Sequence, residues 1–298
     1  MANTRGIFTL SDIQERVFFD TWVPRSDVWI APSPFTVSVP NTGYFGGGWV
    51  FPTTYSTMDK VTYSSDTTAA VPGAALSVAR QALAATGNST AGYFGGGASG
   101  PRSTMDKLTY STDITVALPA TGTLSAARYG LAATGNSTAG YFGGGRSAPA
   151  FFSTMDKVTY STDTTAVLPG ASLTSVRRQL AATGNSTAGY FGGGDGPRST
   201  MDKVTYSSDT TAAVPGAALS AARGYLAATG NSTAGYFGGG YLFSTMDKID
   251  YATDTRLPAI PGASLSSPRY ALAATSALAN GQTSSLQVSV PTTLPYSV

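Results

Sequence analysis

The chain has 298 residues, of which 11% are charged, and its formal net charge is +2. This thin, balanced charge argues against nucleic acid as the main partner, because phosphate binding needs clustered Lys and Arg. The chain contains no Cys and no His, which excludes disulfides, thiol nucleophiles, thiolate metal sites and histidine-based triads. No apolar stretch approaches membrane-spanning length. We therefore predict no cofactor, no metal and no membrane insertion.

The N-terminal segment, residues 1–40, is unlike the rest of the sequence. It carries four large aromatic side chains that would be a liability in solvent unless they pack on something: Phe18, Phe19, Trp22 and Trp29. We predict that this segment lies outside the repeated domain. It is either an anchor that docks on another protein or a cap over the repeats.

Two sequence strings recur five times after this segment. GYFGGG begins at Gly43, Gly92, Gly140, Gly189 and Gly235. STMDK begins at Ser56, Ser103, Ser153, Ser199 and Ser244. In each copy an Arg stands three residues before Leu-Ala-Ala-Thr, at Arg80, Arg128, Arg177, Arg223 and Arg269. Self-similarity at a period of about 48 residues indicates one supersecondary unit used five times.

Each repeat divides into four segments that are typical of short β-strands. The first is small and apolar, as in residues 83–87, and the second is aromatic, as in 91–94. In the third, as in 106–110, apolar and polar residues alternate. The fourth, as in 69–76, contains a proline, which a sheet tolerates only at an edge or a bulge, so we predict that it is outermost. No segment shows a sustained helical period.

Four strands in a repeat of this length is the size of a propeller blade. The order of an Arg, a small apolar strand, an aromatic strand ending in glycines and a strand bearing Tyr beside Ser/Thr-Asp resembles the kelch repeat over residues 41–281. The resemblance has one departure, because Ala, Val, Leu or Pro replaces the Trp of the last kelch strand. A kelch-type oxidase builds its copper site with His and Cys, so that activity is not implied.

We predict an all-β, kelch-like propeller of five four-stranded blades at 41–281, followed by a C-terminal tail at 282–298. The last copy of the first strand, near residues 272–275, would complete the blade that begins at Gly43. The alternative is six blades, with residues 35–39, residues 286–290 and part of the N-terminus forming a degenerate one.

The charged residues of the repeat form rings with one member per blade. Two sets are acidic: Asp59, Asp106, Asp156, Asp202 and Asp247, and Asp66, Asp113, Asp163, Asp209 and Asp254. A glycosidase needs two carboxyls in unlike environments, so we interpret both sets as structural and the second as turn caps. We predict that the Lys of STMDK forms an inter-blade or intra-turn ion pair. We predict that the repeat Arg is a buried group bonded to carbonyls; a ligand-facing ring is the alternative.

The triple glycines are not followed by Gly-Lys-Ser/Thr, so we interpret them as corners needing positive φ and not as a phosphate loop. The loops between GGG and STMDK differ from copy to copy and are rich in the residue types of binding hot spots. The candidate binding residues are Trp49, Phe51, Tyr55, Arg102, Arg146, Phe151, Phe152, Arg198, Tyr241 and Phe243. The alternative is drift in unconstrained loops. We predict no catalytic residue and no enzyme activity.

Near-identical Gly/Ser/Thr/Ala-rich copies behind a short unique N-terminus resemble repeat-bearing virion structural proteins of tailed bacteriophages. The resemblance implies a tail fibre, baseplate or head-surface protein that is made in the host cytoplasm and located in the virion. It implies that residues 1–40 bind other virion proteins, that the propeller meets a host-surface glycan or protein or neighbouring subunits, and that the protein is a homo-oligomer or multi-copy component. The alternatives are a cellular kelch-like interaction scaffold and a carbohydrate-active enzyme.

Overall fold

The structure is a computed structural model that describes residues 42–196, 198–258, 262–272 and 274. The predicted anchor residues Phe18, Phe19, Trp22 and Trp29 lie outside the described residues, as do the pieces of the alternative sixth blade and the C-terminal tail. None of the helices among the described residues is long and apolar enough to cross a membrane.

The described residues form short strands and single 3₁₀ turns, without an α-helix. The strands are β1 (Thr42–Gly46), β2 (Trp49–Val50), β3 (Thr53–Thr54), β4 (Met58–Thr62), β5 (Thr67–Ala70), β6 (Ala84–Gly87), β7 (Ala91–Gly95), β8 (Met105–Thr109), β9 (Ile114–Ala117), β10 (Ala132–Gly135), β11 (Ala139–Gly143), β12 (Arg146–Ser147), β13 (Ala150–Phe151), β14 (Met155–Thr159), β15 (Thr164–Val167), β16 (Ala181–Gly184), β17 (Ala188–Gly192), β18 (Met201–Thr205), β19 (Thr210–Ala213), β20 (Ala227–Gly230), β21 (Ala234–Gly238), β22 (Met246–Asp250) and β23 (Thr255–Arg256). The turns are Pro72–Ala74, Ala120–Gly122, Pro169–Ala171 and Pro215–Ala217.

These strands build five antiparallel blades. Blade 1 is β1-β4-β5, blade 2 is β6-β7-β8-β9, blade 3 is β10-β11-β14-β15, blade 4 is β16-β17-β18-β19 and blade 5 is β20-β21-β22-β23. The inner strands of blades 2 to 5 lie side by side. Residues of all five blades line a central channel of about 630 Å³. The prediction of an all-β, five-bladed propeller is therefore confirmed.

Blade 1 has three strands among the described residues and lacks the inner one. Leu272 and Ala274 line the central channel together with Gly43 and Tyr44 of this blade. Residues 273 and 275 lie outside the described residues. Completion of blade 1 by the end of the chain therefore stays a prediction.

The fourth strand is shorter than we predicted. We expected it to run through the proline, over residues 69–76, but β5 ends at Ala70 and Pro72 begins the turn Pro72–Ala74. Proline suits the first position of a helical turn, since its φ is preset and its missing N–H needs no partner there. The proline thus ends the edge strand. The outermost position of this strand is as predicted, and its residues are mostly exposed.

Adjacent blades interlock through glycine and aromatic side chains. The last residue of β7 is Gly95, and a Cβ added there would lie 2.9 Å from the ring of Phe142 in blade 3. Phe142 is fully buried. Any side chain at this strand end would therefore displace the neighbouring blade, which explains a glycine that no backbone angle requires.

A second contact between consecutive blades is polar. Tyr93 and Lys107 of blade 2 both donate to the turn carboxylate of Asp163 in blade 3, at 2.5 and 2.7 Å. The ring of Tyr93 stacks on Tyr160, with centroids 4.7 Å apart. Asp163 has a φ of +55°, which aspartate tolerates in turns. The same set recurs at Tyr44/Lys60/Asp113, Tyr141/Lys157/Asp209 and Tyr190/Lys203/Asp254.

These contacts confirm the inter-blade alternative for four of the lysines and the structural role of their turn aspartates. Among the described residues, the corresponding pair of Lys248 in blade 5 and Asp66 in blade 1 forms no such bridge.

The raised pKa values of two tyrosines lead us to predict that the protein loses stability at alkaline pH. Burial raises the pKa of both Tyr110 and Tyr251 from 10.0 to about 12. A raised pKa in the folded state contributes stability that is full below pH 10 and is lost as the pH rises toward 12. We expect part of the tyrosinate absorbance to appear only together with unfolding, whereas the denatured chain should titrate in one step near pH 10. Identical titration curves for folded and denatured protein would contradict this.

Candidate functional site: the variable face

The constant arginine of the repeat holds one end of blades 2 to 5 together. The side chain of Arg177 is fully buried and pairs with Asp202, and it also donates to the carbonyl of Thr200 at 3.0 Å. Its backbone binds the preceding blade, because its carbonyl accepts from the amide of Gly145 at 2.8 Å and its amide donates to Phe152 at 3.1 Å. Arg177 therefore fastens the glycine loop of blade 3 to blade 4.

The same buried pairs occur at Arg80–Asp106, Arg128–Asp156 and Arg223–Asp247. Burial lowers the pKa of each of these guanidinium groups, and the Asp opposes that shift. The prediction of buried structural arginines is confirmed for these four, and the alternative of a ligand-facing ring is wrong for them. Arg269 is exposed.

The triple glycines are corners of this frame. Gly96 and Gly97 have φ of +72° and +117°. A Cβ on Gly96 would lie 2.7 Å from the carbonyl oxygen of Arg128. Both observations require glycine, as we predicted. Because these glycine corners recur in every repeat, the loops after GGG begin at equivalent positions of the blades. Among the described residues, no cluster of three or more acidic side chains could hold a metal ion.

The loops of blades 2 to 5 each lie beside the residue that follows a constant arginine. Backbone hydrogen bonds join Ala98 to Gln81, and Arg146 to Tyr129. The amide of Asp195 donates to the carbonyl of Arg178 at 2.7 Å, and Tyr241 donates to Gly224 at 3.2 Å. Two sets of variable residues that are far apart in each repeat therefore meet at one end of the propeller. We use the name variable face for the surface formed by these residue pairs, by the loops that carry them and by the second residue after each constant arginine.

That next residue, the second after each arginine, forms a ring of its own. Ala82, Gly130, Gln179, Tyr225 and Ala271 all have φ between +51° and +65°. Backbone hydrogen bonds of 2.7 to 3.0 Å link each to the one before it, from Ala82 round to Ala271. The backbone at the channel mouth is thus fixed while its side chains differ. We did not predict these positions, although the variation between a constant Arg and a constant Leu-Ala-Ala-Thr was a signal for them.

The predicted binding residues of blade 1 lie on a hairpin, β2-β3, and are open to solvent. Trp49 and Phe51 are 51% and 81% exposed, and their rings pack edge to face with centroids 6.0 Å apart. Tyr55 follows the hairpin and is also exposed.

The predicted aromatic residues of blades 3 and 5 divide into two groups. Phe151 is exposed and lies 5.1 Å from the guanidinium of Arg146, whereas the neighbouring Phe152 is half-buried over the constant Arg128. In blade 5, Tyr241 is exposed, and Phe243 is half-buried over Arg223. Phe152 and Phe243 thus cover the frame, and Phe151 and Tyr241 face outward.

The two remaining predicted residues are tied to the loops that carry them. Arg102 donates to the carbonyl of Ser99, and Arg198 donates to the hydroxyl of Ser175, each at 3.3 Å. Neither makes an ion pair among the described residues. Each places one positively charged side chain on its loop, Arg102 in blade 2 and Arg198 in blade 4.

Fold and site together define a five-bladed β-propeller in which constant residues hold the frame and variable residues gather on one face. No family model matches the chain, and no curated protein matches its sequence significantly.

Proposed function

We propose that this protein is a non-enzymatic recognition component of a tailed-bacteriophage virion, built on kelch-like blades. The observation that carries the recognition role is the convergence of variable residues from separate segments on one face of a constant frame. Recognition sites commonly combine a rigid scaffold with variable loops of this kind. The partner would be a host-surface glycan or protein, or a neighbouring subunit.

The charges of the frame support binding over catalysis. Among the described residues, four aspartates of the STMDK strings, Asp106, Asp156, Asp202 and Asp247, pair with buried arginines, and four turn aspartates, Asp113, Asp163, Asp209 and Asp254, pair with Lys and Tyr. A pair of carboxylates in unlike environments, which acid–base hydrolysis of glycosides needs, does not arise from such rings. Three charged side chains without an ion pair among the described residues, Arg102, Arg146 and Arg198, lie on the variable face.

The virion assignment rests on the sequence resemblance. It proposes that residues 1–40 attach the protein to other virion proteins, in many copies per particle. Deleting residues 1–33 should leave a folded propeller that no longer joins the particle, with folding measured by circular dichroism and incorporation by immunogold microscopy of virions. Normal incorporation of the truncated protein would remove the anchor from the proposal.

The recognition role predicts that exposed aromatic residues of three different loops act in binding. Replacing Trp49, Phe151 and Tyr241 together with Ala should weaken adsorption to host cells at least tenfold, because truncated hot-spot side chains each lose about 1 kcal/mol or more. The melting temperature should not change, since all three are exposed. The control is Ile114, Val116 and Val167 changed to Ala, which are exposed aliphatic residues of the outer strands. Equal adsorption by both variants would contradict the proposal.

A further inference from the structure

We infer that the variable face carries a saccharide-binding cleft between the loops of blades 4 and 5, an inference that rests on the proposed recognition role. The cleft has a volume of about 490 Å³ and is lined by residues 194–196, 222–225 and 241–243. Small-molecule sites in proteins span roughly 300–1,000 Å³ and combine apolar walls with a few placed polar groups. The cleft has this size and this composition.

A missing side chain opens the cleft. Gly224 occupies the position that holds Gln81, Tyr129, Arg178 or Tyr270 in the other repeats. A Cβ on Gly224 would lie 2.9 Å from the amide nitrogen of Asp195 and 3.0 Å from the carbonyl carbon of Gly194. Glycine therefore lets the blade 4 loop approach closely, and it leaves the floor of the cleft without a side chain.

The walls are tyrosine rings. Tyr225 and Tyr241 line the cleft, and Tyr270 contacts both, with ring centroids 6.1 and 5.5 Å away. Tyr241 and Tyr270 are each 58% exposed. A tyrosine offers a flat apolar ring with a hydroxyl at its tip. A pyranose matches this surface, because it has C–H faces that stack on rings and a rim of hydroxyl groups.

One carboxylate is fixed at the rim. Asp195 accepts two hydrogen bonds from Arg178, at 2.9 and 2.5 Å, and one from the amide of Gly196 at 3.0 Å. Its side chain remains 35% exposed, so it can accept further bonds from ligand hydroxyls. Arg178 balances its charge, and Asp247 balances that of Arg223. The lining thus has no net charge, which favours a neutral polyhydroxylated ligand over a phosphate or sulfate.

The backbone of the cleft disfavours an extended peptide. Strand addition needs free backbone amides and carbonyls. The amides of Gly194, Asp195 and Tyr241 already donate to carbonyls of the frame. Recognition is left to the rings and the carboxylate, which is the arrangement that suits a sugar.

Two substitutions copy residues that other repeats hold at the same positions, so the frame accommodates them. Tyr225→Gly copies Gly130 at a position with φ of +58°, and Tyr241→Ala copies Ala98. The control Tyr129→Gln copies Gln81 and lies outside the cleft. The probe is an array of neutral oligosaccharides of hexoses and N-acetylhexosamines, followed by titration calorimetry of the saccharides that bind. We expect the wild type to bind at least one, Tyr225→Gly and Tyr241→Ala to weaken it at least tenfold, and Tyr129→Gln to leave it unchanged.

Failure of this inference is distinct from failure of the proposed function. Absence of binding to every saccharide, or full affinity in Tyr225→Gly and Tyr241→Ala, overturns the cleft as a saccharide site. Adsorption to host cells that survives periodate oxidation of their surface sugars also overturns it while keeping the recognition role, with a protein as the partner. Absence of adsorption to host cells and to other virion proteins removes the recognition role itself.

Discussion

Replacing Arg177 with Met should lower the free energy of unfolding by about 3–5 kcal/mol, because it leaves a buried carboxylate without its counter-charge. The side chains of Arg177 and Asp202 are both fully buried. Asp202 also accepts hydrogen bonds from the amide and hydroxyl of Thr174. Those bonds orient the carboxylate but do not neutralise it. Urea denaturation followed by tyrosine fluorescence measures the loss.

The next residue along the chain is the matched control. Arg178 pairs with Asp195 at the surface, where an ion pair contributes about 1 kcal/mol or less. Arg178→Met should therefore change stability by no more than that. In Arg177→Met/Asp202→Leu no buried charge remains, so the double variant should recover much of the loss. Similar effects for Arg177→Met and Arg178→Met would contradict a buried ion pair.

A single added methyl group should be nearly as damaging at Gly184. Its Cβ would lie 2.3 Å from the carbonyl oxygen of Ala188, in the hairpin between β16 and β17. That oxygen is held in place because it accepts the amide of Asn185 at 2.9 Å. The hairpin must therefore open, and we expect Gly184→Ala to destabilise the protein by about 3 kcal/mol. Thermal and urea unfolding measure the change.

Gly170 provides the comparison for this substitution. It is an exposed residue of the turn Pro169–Ala171, and the nearest atom to an added Cβ is 3.7 Å away. Gly170→Ala should be neutral or stabilising by about 0.4–1 kcal/mol, because alanine restricts the unfolded chain. A loss of stability at Gly170 as large as that at Gly184 would show that the hairpin clash is not the cause.

Much of the fold was predictable because the same pattern of apolar, polar and turn residues occurs in all five repeats. Alternation in segments such as 106–110 placed the third strand within one residue of β8, and the proline marked the edge of the blade. The end of that edge strand was not predictable from composition, since proline is compatible with either an edge or a turn. In the structure Pro72 begins a 3₁₀ turn, and the edge strand therefore ends before it.

Partner choice was predictable only in part. Lys107 stands next to Asp106, and yet it pairs with Asp163 of the following blade. Asp106 is buried against Arg80. Both aspartates recur with the same period, so spacing alone cannot distinguish them. The packing of one blade against the next decides which carboxylate each cation meets.

The variable face was predictable as loops but not as a surface. The loops after GGG differ visibly, whereas the cleft depends on Gly224, a side chain that is absent. It also depends on two segments, near 195 and 241, that meet only when blades pack. Likewise, Phe151 and Phe152 are adjacent residues of the same type, so the sequence does not distinguish them. In the structure Phe151 is exposed, whereas Phe152 packs over Arg128.

The Tyr, Lys and Asp contacts between consecutive blades are the same at all four described places. These contacts therefore cannot specify the order of the blades. The order around the channel must come from tethering. The segment from Val71 to Leu83 joins the outer strand of blade 1 to the inner strand of blade 2, and such connections usually join elements that are adjacent in space. An exchange of two whole repeats would preserve the residues of these four joints while rearranging the variable face, so that recognition can change by recombination without a new point mutation in the frame.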